Sequence, residues 1–119
     1  MGRYVFACLA AICPVPAMAD DPQVIDVEVE NRGTGWTFHV TLAHPDSGWD
    51  HYADGWEVRD SQGNSLGLRV LHHPHVEEQP FTRSLSNVVI PEGTTEVFVV
   101  PRCSVDGWAK IATPVGLLN

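Results

Sequence analysis

Residues 36–42 alternate strictly: Trp36, Phe38, Val40 and Leu42 are apolar, and Thr37, His39 and Thr41 between them are polar. A period of two is the signature of a strand with one face buried and the other wet. An α-helix would scatter those four apolar side chains around its axis, so this stretch commits the chain to a sheet. His39 falls on the polar side and reads as a solvated strand residue. The same grammar recurs along the chain. Val24 to Val29 sets Val27 and Val29 against Glu28 and Glu30, and Asn31-Arg32-Gly33-Thr34-Gly35 turns. Trp56 to Arg59 and Leu66 to His72 flank Asp60-Ser61-Gln62-Gly63-Asn64 and read as a hairpin. Phe81 to Leu85 with Val88 to Ile90, the β-branched run Glu96 to Val100, and Trp108 to Thr113 complete the set, divided by Pro91-Glu92-Gly93-Thr94 and Asp106-Gly107. About seven short strands with turns every 8–12 residues or so predict a single antiparallel β-sandwich.

The first 19 residues stand apart. Arg3 precedes an apolar run from Tyr4 to Ile12, then Pro14-Val15-Pro16 and the small triplet Ala17-Met18-Ala19 ahead of Asp20-Asp21. This order predicts a cleaved signal peptide over 1–19 and an exported domain over 20–119. The apolar run is shorter than the roughly 20 residues that span a bilayer, and no later segment approaches that length, so no membrane insertion is expected. A lipid anchor at Cys13 is disfavoured by the bulky Ile12 before it. Cleavage removes Cys8, Cys13 and both methionines and takes the formal net charge from −8 to −9 with the loss of Arg3. Such acidity argues against nucleic acid or anionic lipid as partners. Cys103 is then alone, so no internal disulfide forms, and it is expected to be buried and inert.

The run Leu85-Ser86-Asn87-Val88-Val89-Ile90-Pro91-Glu92-Gly93-Thr94, followed by Val97, Phe98 and Val99, resembles the strand–turn–strand segment before and within the sixth strand of fibronectin type III and immunoglobulin-like domains. The resemblance implies an immunoglobulin-like sandwich, although the tyrosine usual near the start of that strand is replaced by Val97 or Phe98. The segments Trp49-Asp50-His51-Tyr52-Ala53-Asp54 and His73-Pro74-His75 through Arg83 are similar to those of small uncharacterised exported proteobacterial proteins. That likeness implies a periplasmic or secreted location and no particular activity.

Two clusters invite chemistry. In His72-His73-Pro74-His75, proline keeps His73 extended, so His73 and His75 project to one side. Two imidazoles at that spacing suit zinc or copper(II), with His51, Glu77 or Asp54 as a third ligand. The same histidines also suit a structural loop or a protein-contact surface. No methionine remains to hold copper(I), and no histidine follows Cys103 as a blue-copper site requires. The second cluster, residues 49–56, packs two tryptophans, a tyrosine, a histidine and two carboxylates together. It reads as a loop anchor or, with Phe81 and Arg83, as a contact patch formed by Trp49, Tyr52 and Trp56. No G-x-S-x-G elbow, H-E-x-x-H helix or glycine-rich phosphate cradle is present, so no enzyme is expected. Two functions stay open. One is a non-enzymatic binding or interaction module of unknown partner using the 49–56 and 73–83 loops. The other is a zinc- or copper(II)-binding domain built on His73, His75 and a third ligand.

Overall fold

The computed structural model describes residues 21–117; the expected signal peptide, with Cys8 and Cys13, lies outside the described residues. Among those described, every regular element is a strand: β1 (Gln23–Asn31), β2 (Trp36–Ala43), β3 (Ala53–Arg59), β4 (Ser65–Val70), β5 (Phe81–Val88), β6 (Glu96–Cys103), β7 (Gly107–Trp108) and β8 (Thr113–Gly116). They form two antiparallel sheets. One has the order β1-β2-β5; in the other β4, β3 and β6 are adjacent, and β7 and β8 share the far edge of β6. The chain passes from sheet to sheet after β2, β4 and β5. That connectivity makes an antiparallel β-sandwich, as the alternation predicts.

The apolar face of β2 supplies one wall of the core: Trp36, Phe38, Val40 and Leu42 are all buried. The opposing wall comes from Trp56 and Val58 of β3 and from Val97 and Val99 of β6, which are fully buried. Val27 and Val29 of β1 pack against this cluster from the edge. The hairpin of β3 and β4 closes as expected: the Asp60 carboxylate accepts from the Gln62 and Asn64 amides, each at 2.9 Å, and Gly63 takes a positive φ of 86°. The expected extended stretch 81–90 is a continuous strand only as far as Val88, with Val89 and Ile90 beyond it and a register shift on β2 between Trp36 and Phe38.

The last expected strand, Trp108 to Thr113, is not continuous. It is replaced by β7 and β8, each pairing a different part of β6. Pro101 of β6 explains the break. Its carbonyl accepts from Ala109 N at 2.8 Å, so its ring nitrogen faces the same edge and has no proton to give. The ladder cannot run through that position, and residues 109–112 leave the sheet.

Replacing Trp56 by alanine is expected to cost about 3–5 kcal/mol of folding free energy. Val89→Ala, at a site 73% exposed, is expected to stay within about 0.5 kcal/mol. Urea unfolding followed by far-ultraviolet circular dichroism distinguishes the two; equal effects would contradict this placement of the core.

Candidate metal centre

The phase that buries Trp36, Phe38, Val40 and Leu42 runs on past the end of β2 to His44. Its ring therefore enters the interior, and its side chain is wholly inaccessible to solvent. The apolar phase of β6, Val97, Val99 and Pro101, likewise arrives at Cys103, which is fully buried. Both residues thus come to the same pole of the sandwich, where β2 and β6 end. Between them lies a tight turn. Ser47 N donates to His51 O at 3.0 Å and His51 N to Gly48 O at 3.1 Å, with Gly48 at φ 146°. This turn folds His51 back onto His44, ring centroids 4.9 Å apart and nearly perpendicular. The Ser104–Tyr52 pair, joined through Ser104 N to Tyr52 O at 2.8 Å and Tyr52 N to Ser104 Oγ at 3.0 Å, ties the end of β6 to the same turn.

Asp46 organises the pole. One oxygen of its buried carboxylate accepts from His44 Nδ1 at 2.6 Å and from Ala53 N at 2.9 Å, and the other accepts from His75 N at 2.7 Å. Gln79 adds a second brace: its Oε1 accepts from His44 N and its Nε2 donates to His75 O, both at 2.9 Å. The loops 44–52 and 73–80 are therefore joined at one end of the molecule.

A carboxylate can only accept, so the His44 proton sits on Nδ1 and Nε2 presents its lone pair. That Nε2 is buried with no hydrogen-bond partner. His44, His51 and Cys103 each bring one ligand atom within 4.8 Å of the others. A buried imidazole oriented through its other nitrogen by a carboxylate is the usual support behind a metal-bound histidine. Cys103 Sγ lies 3.5 Å from His51 Nε2 and accepts the Asp106 amide at 3.2 Å. Burial pushes the thiol pKa up, and the Asp106 and Val105 amides partly offset this. A cation bound there would have to displace the thiol proton.

The expected ligands His73 and His75 are arranged differently. Their rings are 4.8 Å apart, but His75 is buried, stacked on Phe81 at 4.0 Å, with Arg83 Nη2 2.9 Å from its Nε2. A guanidinium can only donate, so Nε2 is the acceptor and the proton is on Nδ1, which is buried and unpartnered. His75 therefore has no free lone pair, and His73 bonds the Pro74 carbonyl at 3.2 Å. Glu77 is exposed. Among the described residues the ligand group of three is His44, His51 and Cys103, so of the expected ligands only His51 joins it.

The expected contact patch is also divided. Trp56 and Phe81 are core residues, 0% and 2% exposed, and lack the accessible atoms a contact needs. Arg83 is half-buried against His75 and Glu78. Trp49 is 68% exposed at the tip of the 48–51 turn and packs edge-on against Tyr52.

Comparison with known proteins gives one informative similarity. A protein described as a putative lipoprotein of Halomicrobium mukohataei is 45% identical over 80 residues, which cover 66% of this chain and 39% of that protein. The chain thus spans about two-fifths of the length of this relative. No protein-family profile matches, and neither does any solved structure.

Asp46→Ala is expected to lower stability by about 3 kcal/mol or more, because it strands three buried N–H groups. A loss under about 1 kcal/mol in urea unfolding would contradict the bracing role. A pH dependence follows from His75. Burial, followed by Arg83 and His73, holds its pKa below the ordinary value near 6.5. Between that lowered value and about 6.5 the unfolded chain binds more protons than the folded one, so stability falls as pH drops through this window. His75→Gln is expected to flatten the fall in unfolding free energy measured from neutral to mildly acidic pH; an unchanged slope would contradict it.

Proposed function

We propose that this chain is a non-enzymatic domain of an exported, envelope-associated protein that holds a transition-metal ion, zinc or copper(II), at the loop pole through His44, His51 and Cys103. The observation that carries this reading is the buried, unpartnered His44 Nε2, whose ring is fixed from behind by Asp46 and which shares its pole with a thiol and a second imidazole. A buried polar atom without a partner costs about 1–3 kcal/mol. A bound cation would satisfy it. The leader-like first 19 residues and the similarity to a protein described as a lipoprotein support an exported, envelope location.

A protein-contact role for the same pole is favoured by one observation, the exposure of Trp49 over Tyr52. The two readings separate by titration of zinc and copper(II) into the exported chain, purified without a histidine tag. Submicromolar binding is expected. It should weaken by well over about 100-fold in His44→Ala and Cys103→Ser, above the range typical of lost outer-shell partners. Trp49→Ala and His73→Ala should leave it unchanged. Binding that survives His44→Ala and disappears in His73→Ala would contradict the proposed ligand set; no binding would leave the contact reading.

A further inference from the structure

The geometry points to Asp106 as a fourth ligand and to a closed, four-coordinate zinc site of one thiolate, two imidazoles and one carboxylate. This rests on the metal-binding reading above and specifies it. Asp106 belongs to the short turn between β6 and β7. That turn is tight: Gly107 takes a positive φ of 77° and pairs with Cys103, and the Asp106 amide donates to Cys103 Sγ. The carboxylate is thereby returned to the thiol it follows by three residues. Its Oδ2 lies 3.6 Å from Cys103 Sγ and 3.9 Å from His51 Nε2.

These separations are close to the edges of a tetrahedron. Zinc bonds of about 2.3 Å to sulfur and about 2.0–2.1 Å to nitrogen and oxygen, at tetrahedral angles, put sulfur about 3.5 Å from each other ligand. They put nitrogen and oxygen about 3.3 Å apart. Two of the three sulfur edges, to His51 at 3.5 Å and to Asp106 at 3.6 Å, already have that length, and the third, to His44, is within 4.8 Å. The nitrogen–oxygen edge, at 3.9 Å, is longer by about 0.6 Å on the same geometry. The Asp106 side chain is one-third exposed and so has room to turn toward the ion. His44 stands on the buried side, its ligand atom within 4.8 Å of those of His51 and Cys103; Asp106 lies outside that group, so an ion has to draw Asp106 and His44 together to take all four.

The metal-free arrangement shows what the ion replaces. The Cys103 thiol donates its proton toward Asp106 Oδ2. Binding of the cation releases that proton to solvent and puts a metal between the same two atoms. The Asp106 amide stays on the sulfur and spreads its charge.

Charge selects the ion. Thiolate and carboxylate carry two negative charges, which a divalent cation neutralises. A cuprous ion would leave one net negative charge in a largely buried site, and an uncompensated buried charge is costly. Copper electron-transfer sites use a weak, neutral axial ligand beside His2Cys. A carboxylate is neither weak nor neutral. Zinc accepts all three ligand types without a change of oxidation state.

The test is to load the full exported chain with cobalt(II), a spectroscopic stand-in for zinc, and to measure zinc affinity by competition with a chelator. Wild type is expected to show the intense visible bands of tetrahedral cobalt together with a sulfur-to-cobalt charge-transfer band. Asp106→Asn keeps the turn and its amide and removes the charge. It is expected to bind zinc at least about tenfold more weakly and to alter the visible bands while the sulfur band persists. Asp106→Ala should weaken binding further, with tryptophan fluorescence checking that both variants fold. Zinc affinities within twofold of wild type and an unchanged cobalt spectrum in both variants would overturn Asp106 as a ligand and leave the three-ligand site standing. Failure of wild type to take up zinc or cobalt would instead overturn the metal-binding reading itself.

Discussion

One buried carboxylate holds the loop pole of this sandwich in shape. Asp46 is removed from water, which costs several kcal/mol for a charged group. Its three N–H donors, on His44, Ala53 and His75, each return about 1.5–3 kcal/mol as bonds to a charged acceptor. Three such bonds are of the size needed to offset the penalty; one would fall short. The same three bonds fix the exit from β2, the entry to β3 and the loop before β5 relative to one another. Loops that otherwise have little reason to share a conformation are thereby tied to one group.

The consequence for chemistry is a division of labour between two buried histidines. His44 gives its proton to Asp46 and is left with a lone pair directed away from it. His75 receives Arg83 on its Nε2 and is left with an N–H. Residue type and burial are the same, and the partner decides which ring can bind a cation. His75 then acts as a structural element, stacked on Phe81 and linked by its backbone to Asp46 and Gln79. The exposed 48–51 turn, carrying Trp49, caps the pole from outside.

Much of the fold was legible in the sequence because a strand with one buried face must alternate, and β2, β1 and β3 do so plainly, while the Asp60–Asn64 turn marks the hairpin to β4, whose Leu68 and Val70 are exposed. The last strand was not, because its failure depends on Pro101, a residue of the neighbouring strand. The site was legible only in part. His51 stood in an aromatic cluster and attracted notice, whereas His44 looked like the first residue of a loop and Cys103 like an inert core thiol. Two signals pointed to them: His44 continues the 36-38-40-42 phase and Cys103 the 97-99-101 phase, so both lie where a buried face runs out at the same end. His-Pro-Asp spacing then hints that Asp46 can reach back to the His44 ring. The His73–His75 pair drew attention by proximity in sequence, but which lone pairs are free depends on Arg83, eight residues from His75. That pairing is set by the fold and not by spacing.

The central claim is that Cys103 and the two histidines His44 and His51 meet on one ion. X-ray absorption at the zinc edge of the loaded chain measures this most directly. One sulfur neighbour at about 2.3 Å with nitrogen and oxygen neighbours at about 2.0–2.1 Å, and the outer-shell scattering of two imidazoles, is the predicted result. A first shell made of nitrogen and oxygen alone, with no sulfur, would contradict it.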